Sequence, residues 1–497
     1  MKFPGSIVTH LNCNSSYHCP LLINLSGFEP PPRKCSLRFE EIWLSDERCF
    51  ETVEASWSSV HDGTSDECIL KKIEACGKDL AWWNKNIFGN VKKELEKKKA
   101  QLAQAEREAI VSGMNHRVCE LKEHINVLLD KEARLWCQCS RVLWLKNGDN
   151  NTKFFHCQAS KRHRRNLIHG IRDETNNWQI HSEPTASVFI RYYQELFATS
   201  KLDTHMDILD HIPRVITEEM NAAHTSSFLE SKVVTALKQM APLKASGPNG
   251  MLPLFYQHFW GLVDNDVTSS VLSWLNSGTL PHPLNHTFIT LIPKTKNFEL
   301  VQEFRPISLC NVLYKIFSKV LANRLKKVLP LIITEHQSAF TKNRLIPDNI
   351  LVAFESLHCM ENQVAGDTGY MAIKLDMSKA YDLVERVYLE NIMRKMGFYE
   401  QWIGLIMACV QSMTYSILVN GEPHGLIHPT RGIRQGDPLS SFLFLLCTEG
   451  LNGLIQQAAI RGYIKGFSLC QRGPKLTHLL FANDSLIFCR ATQRKCG

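Results

Sequence analysis

Two aspartates in apolar surroundings are the residues best suited to chemistry. Asp376 follows the apolar run 371–375, and Asp484 lies between the apolar runs 479–481 and 486–488. Buried acids are costly unless a partner compensates their charge, and a metal ion can do so. Carboxylates converging from two strands supply the hard oxygen donors that Mg²⁺ prefers, and a pair of such ions about 3.5–4 Å apart is the arrangement used for phosphoryl transfer. Either aspartate alone would be ordinary turn chemistry.

A second feature is electrostatic. Among 497 residues with a formal net charge of +8, residues 131–172 carry ten Lys/Arg and two acids, which is the whole excess. Such segregated charge suits a polyanion, because Lys and Arg displace counterions from phosphates. The candidate contacts are Lys146, Lys153, Lys161, Arg162, Arg164 and Arg165. Trp136, Trp144, Phe154 and Phe155 interleave them and could stack on unpaired bases. The plainer reading is a solvated face beside buried aromatics.

The elements that must position these groups differ along the chain. Residues 1–34 read as short and irregular, and 35–80 as a linker without clear periodicity. From residue 81 the pattern is helical, broken at Ser112-Gly113, with Leu121, Ile125, Leu128 and Leu135 on one face of a second helix. This helical extension, 81–216, carries the basic stretch. From about residue 216 the chain reads as mixed α/β. Strands are expected at 287–292 and 371–375, helices at 308–329 and 439–454, and a hairpin around Asn420-Gly421. Two short strands should flank Asn483-Asp484.

Composition narrows the class. Hydrophobic content of 44% and charged content of 21% are those of a folded domain. No apolar run approaches the roughly 18 residues of a membrane helix, so no membrane association is expected. No apolar stretch follows Met1, and the 17 cysteines are scattered, so the expectation is an intracellular chain, nuclear or cytoplasmic and not secreted.

Seven blocks then occur in a recognisable order. They are Lys244-Ala245-Ser246-Gly247-Pro248-Asn249-Gly250, Leu291-Ile292-Pro293-Lys294, Phe304-Arg305-Pro306-Ile307-Ser308-Leu309, Gln337-Ser338-Ala339-Phe340, Lys374-Leu375-Asp376-Met377-Ser378-Lys379-Ala380-Tyr381-Asp382, Arg434-Gln435-Gly436-Asp437-Pro438-Leu439-Ser440 and Leu480-Phe481-Ala482-Asn483-Asp484. Residues 217–488 closely resemble the reverse transcriptase of plant LINE-type (non-LTR) retrotransposons. Trp144 to His156 resembles a linker of these elements, and Ser15 to Pro20 the last motif of their endonuclease.

The resemblance implies an α/β (α+β) fold, the fingers and palm of a right-hand polymerase behind the helical basic extension. It implies an RNA template, a DNA primer, deoxynucleoside triphosphates and Mg²⁺ or Mn²⁺. Asp376 and Asp484 would be metal-binding carboxylates, with Asn483 between them in the catalytic set. Tyr381 would be the gate under the incoming sugar. Gln435 and Gly436 would lie against nucleotide and template, and Lys294 and Arg305 would face the triphosphate. Residues 1–34 would be an endonuclease remnant and 217–497 a truncated polymerase without its thumb.

Departures from the family pattern matter as much. Asn483 stands where an aspartate is usual, which removes one of three negative charges from the catalytic set. Asn249 likewise replaces Asp, Lys342-Asn343 replaces Pro-Gly, and Tyr17 replaces an acid beside His18. Two readings therefore stand: a reverse transcriptase impaired by Asn483 and truncation, or a catalytically dead RNA/DNA-binding remnant. A third, a pseudogene product that never folds stably, follows if the palm sheet lacks strands.

Overall fold

The computed structural model describes residues 7–10, 21–24, 37–60, 65–140, 152–200, 206–362, 369–468 and 473–491. Two compact units divide at residue 36. In the first, β1 (Ile7–His10) pairs antiparallel with β2 (Leu21–Asn24), so this segment holds strands where irregular chain was expected. The endonuclease-like Ser15 to Pro20 lies outside the described residues, as does Tyr17.

The second unit starts at Leu37. Residues 35–80, expected to be a linker, instead contain α1 (Glu47–Ser58) and most of α2 (Ser65–Trp83). Asp46 caps α1 by accepting from the Arg48 amide. Phe39, Trp43, Trp57 and Trp83 are all at most 2% exposed and belong to the main core. The Trp57 indole donates to Asp266 at 2.7 Å, and Lys72 reaches the same carboxylate. Burying four large aromatic side chains outweighs the weak periodicity that suggested a linker. Gly250 makes this junction possible: its φ is +76°, and a Cβ there would lie 2.2 Å from the Leu37 carbonyl oxygen.

The helical hairpin forms as expected from α3 (Val91–Ser112) and α4 (His116–Ser140). Asn90 caps its start, and Gly113, at φ +72°, ends α3 by donating to the Ala109 carbonyl. Leu121 and Ile125 are buried, while Leu128 and Leu135 are half-buried. Helix α5 (Thr152–Asn166) packs on α4 and carries the basic cluster. A short ribbon, β3 (Ile171–Arg172) with β4 (Trp178–Gln179), follows it.

Two sheets complete the unit. The first has the order β6-β5-β8-β9, built from β5 (His286–Pro293), β6 (Phe304–Cys310), β8 (Thr414–Val419) and β9 (Glu422–Ile427). β5 alternates buried and half-buried positions, the pattern of a strand with one core face. The helix expected at 308–329 runs only over Val312–Leu325, because residues 308–310 are taken up in β6 by pairing with β5. Val312, Ile316, Val320 and Leu321 are buried, and so is most of that helix. Asn420 and Gly421, at φ +51° and +95°, form the two-residue turn between β8 and β9.

The second sheet has the order β10-β11-β7, from β7 (Tyr370–Asp376), β10 (His478–Phe481) and β11 (Asp484–Arg490). β7 is apolar in sequence, yet Ile373 and Leu375 are 39% and 46% exposed. The buried helix Ser440–Ile460 lies close to expectation. The architecture is a mixed helix and sheet fold. Among the described residues no helix is long and apolar enough to cross a membrane.

Candidate active site

The antiparallel register places Asp376, the last residue of β7, directly opposite Asp484, the first of β11. Phe481 pairs with Asp484, so Ala482 and Asn483 are the whole turn between β10 and β11. Asp484 thus opens a strand instead of sitting at the turn tip. Ala482 adopts φ +53°, a left-handed conformation unusual for alanine. The Met377 amide donates to the Asn483 carbonyl at 3.2 Å and ties the turn to the end of β7.

The polar side chains of this corner are paired among themselves. The Asn483 Nδ2 donates to Asp376 Oδ1 at 2.8 Å. The Lys374 ammonium lies 3.5 Å from Asp484 Oδ1, an ion pair with both partners more than half exposed. Each carboxylate therefore has a positive or donor partner from the chain itself. A metal ion would need oxygen lone pairs converging on one point. Asn483 offers a neutral carbonyl oxygen and turns its N–H edge to Asp376. This donor set does not fit a pair of divalent cations, and no cluster of three or more His, Cys, Asp or Glu suited to a metal occurs among the described residues.

The loop after β7 carries Tyr381. Its ring is half-buried and stacks on Phe444, with centroids 5.0 Å apart and planes at 15°. Burial pushes its phenol pKa up. The next residue, Asp382, carries no expected role from the sequence. It is 8% exposed, and burial raises its carboxyl to about 7 against the opposing pull of Lys379 and Lys294. An acid beside an aromatic in a motif was the available signal, and only the fold reveals that it is buried.

Lys294 and Arg305 come to the same end of the β5–β6 pair. Arg305 is opposite Ile292, and Phe304 is opposite Pro293. Both cationic side chains are exposed, with the Lys294 ammonium donating to the Gln302 carbonyl at 2.9 Å. The Gln435 carbonyl accepts from the Ser308 amide of β6 at 2.9 Å, which brings Gln435 and Gly436 against the strand that carries Arg305. Gly436 has φ +109°.

Two flanking residues anchor that loop, and sequence reasoning assigned neither a role. Arg434 and Asp437 are 2% and 7% exposed, with Arg434 Nη1 3.5 Å from Asp437 Oδ2. The guanidinium lies over the Tyr314 ring at 4.2 Å and donates to the Asn285 carbonyl at 3.0 Å. The Tyr314 hydroxyl and the Leu439 amide donate to Asp437. A paired, hydrogen-bonded charge of this kind is costly to break on one side.

The basic cluster is only partly described. Lys146 and the Lys153 side chain lie outside the described residues. Lys161, Arg162, Arg164 and Arg165 are all exposed near the C-terminal end of α5. The helix dipole favours cations there, so the position has a structural reason as well. Of the aromatics, Trp144 lies outside the described residues, while two follow the plainer reading: Phe155 is 5% exposed, and half-buried Trp136 packs edge-on to His156 at 4.3 Å. Trp136 thus joins α4 to α5, and Phe155 is too buried to be a free platform for bases. The reciprocal amide pairing of Asn420 with Ile168, two bonds of 2.9 Å, fixes the chain after α5 to the β8–β9 turn.

Lys342-Asn343 stands where the family pattern has Pro-Gly. Asn343 takes φ +64°, the conformation a glycine would supply, so this turn keeps its left-handed residue. Arg344 beside it donates to the carbonyls of Gln337 and Ile333 at 2.8 and 2.9 Å.

Residues 292–495 match the family described as reverse transcriptase (RNA-dependent DNA polymerase). Over 447 residues the chain is 25% identical to the transposon TX1 uncharacterized 149 kDa protein of Xenopus laevis, covering 88% of this chain and 34% of that protein. It is 50% identical over 68 residues to an uncharacterized mitochondrial protein of Arabidopsis thaliana, 14% of this chain and 56% of that one. It is 27% identical over 268 residues to the retrovirus-related Pol polyprotein of the type-1 retrotransposable element R2 of Nasonia vitripennis, 53% of this chain and 24% of the polyprotein. The chain thus spans about a third, just over half and about a quarter of these relatives' lengths. Together the matches support a reverse transcriptase domain of the non-LTR retrotransposon type.

Proposed function

We propose that residues 217–497 are the fingers and palm of an RNA-directed DNA polymerase whose nucleotidyl transfer is impaired by Asn483. The observation that carries the reading is the pairing of Asp376 with Asp484, with the Asn483 amide bonded to Asp376 in the same corner. With a third carboxylate at position 483 the same corner would present the donor set that divalent-metal phosphoryl transfer uses, with Mg²⁺ or Mn²⁺ in this family; the two carboxylates and the amide now there do not. Loss of one ionic ligand should cost roughly 10³-fold or more in rate. Tyr381 is assigned to the sugar gate, Gln435 and Gly436 to nucleotide and template, and Lys294 and Arg305 to the triphosphate. The exposed cations of α5 are assigned to the backbone of the RNA template or DNA primer. The Arabidopsis likeness is in keeping with a plant LINE lineage.

Primer extension on an RNA template with Mg²⁺ tests this. The chain as it stands should extend poorly and Asn483→Asp should extend well. Equal, brisk extension by both would sink the impairment. The second reading, nucleic-acid binding without catalysis, is favoured by the exposed Lys161–Arg165 cluster together with the amide-capped carboxylate. It predicts salt-dependent RNA binding with no extension even by Asn483→Asp.

A further inference from the structure

The turn that carries Asn483 is gripped from outside its own sheet. Gln337 is fully buried, in a strap between the helices Leu329–Ile332 and Ile346–Asn362. Its Oε1 accepts from the Ala482 amide at 2.9 Å and from the Ala339 amide at 3.1 Å. Its Nε2 faces the Ala482 carbonyl and the Thr448 hydroxyl, each at 3.5 Å. One side chain thus addresses both the amide and the carbonyl of the residue held at positive φ.

The strap itself is anchored. The Leu480 amide donates to the His336 carbonyl at 2.8 Å, and the Ser338 amide donates to the Leu480 carbonyl at 3.1 Å. This is a parallel bridge along the free side of β10. Asn349 also donates to the Leu480 carbonyl at 3.1 Å, while Ser338 donates to Asn349 at 2.7 Å. Arg344 closes the strap on itself through the carbonyls of Ile333 and Gln337.

We propose that Gln337 is a positioning residue for the Asp376–Asp484 pair. It holds Ala482 in the left-handed conformation that lets Phe481 pair with Asp484 across a two-residue turn, and so sets where residue 483 and Asp484 face β7. A buried glutamine that merely satisfied itself would have no reason to bond both groups of one strained residue. Strands joined by two residues depend on the turn for register, and a shift of one residue would turn Asp484 to the other face.

The experiment compares Gln337→Met, which keeps the volume but removes the amide, with the parent chain by hydrogen–deuterium exchange. Peptides covering 478–490 should exchange about tenfold faster, while those from β5, β6 and β8 stay unchanged. Adding Ala482→Gly should restore much of the protection, because glycine needs no partner to hold positive φ. Gln337→Asn, which withdraws the amide by one methylene, should act in the same direction and serves if Gln337→Met does not fold. A kinetic arm rests on the polymerase reading: in the Asn483→Asp background, Gln337→Met should lower kcat about tenfold with little change in the nucleotide KM. Faster hairpin exchange with no extension by any variant upholds Gln337 and refutes the polymerase reading. Unchanged hairpin exchange in both Gln337 variants overturns the proposal, as does a loss of protection that Ala482→Gly leaves untouched.

Discussion

Asn483 differs from an aspartate by one amide, and its effect follows from what each atom can face. The NH₂ edge donates to Asp376 at 2.8 Å, where an ionised oxygen would repel that carboxylate and require a cation between them. Asp382 shows the opposite device, an acid whose carboxyl is pushed up by burial. Its folded pKa of about 7 lies above the ordinary value of 3.8, so the stability it contributes is complete below about pH 4 and lost as pH rises to 7. Asp382→Asn removes that loss. The melting temperature of the variant minus that of the parent should therefore increase from pH 4 to pH 7; a flat difference across that range would contradict the burial argument. Asp376 and Asp484 were legible in sequence because acids interrupting apolar runs stand out. Asp382 and Gln337 were not, since their surroundings are built by residues distant in sequence: Phe444 stacks on Tyr381 beside Asp382, and Ala482 bonds Gln337.

At the scale of elements, local signals served where local forces decide. The Asn420-Gly421 turn and the Gly113 helix end were readable because positive φ restricts residue choice. The start of the helix at Val312 was not, because residues 304–310 pair with a strand some 17 positions earlier in register. Sequence left two readings of the aromatics around α5 open, and the buried one holds for Phe155, because sequence alone does not say which rings neighbouring elements cover. What remains for nucleic acid on α5 is charge. Replacing Lys161, Arg162, Arg164 and Arg165 together by Gln should weaken RNA binding and reduce the slope of log K against log salt by about 3, at roughly 0.7 per phosphate contact. Fluorescence anisotropy over a range of salt concentrations reads this directly, and an unaltered slope would remove α5 from the interface.

For the whole molecule, the largest revision concerns residues 37–83. They form part of the main core, with Trp57 2% exposed and bonded to Asp266 some 200 residues away. Trp57→Ala should cost about 3–5 kcal/mol in a denaturant melt, whereas a linker residue would change stability by less than about 0.5 kcal/mol. The α/β class and the order of the motifs were legible, because strand and turn patterning repeats over short spans. The involvement of α1 and α2 was not, because amphipathic helices say that they pack and leave open on what.

The most direct measurement is RNA-templated primer extension by the purified chain and its Asn483→Asp variant, side by side across Mg²⁺ concentrations. Extension by the chain as it stands should be weak or absent, with a gain of roughly 10³-fold on restoring the carboxylate. Extension by the parent equal to that of the variant would contradict it.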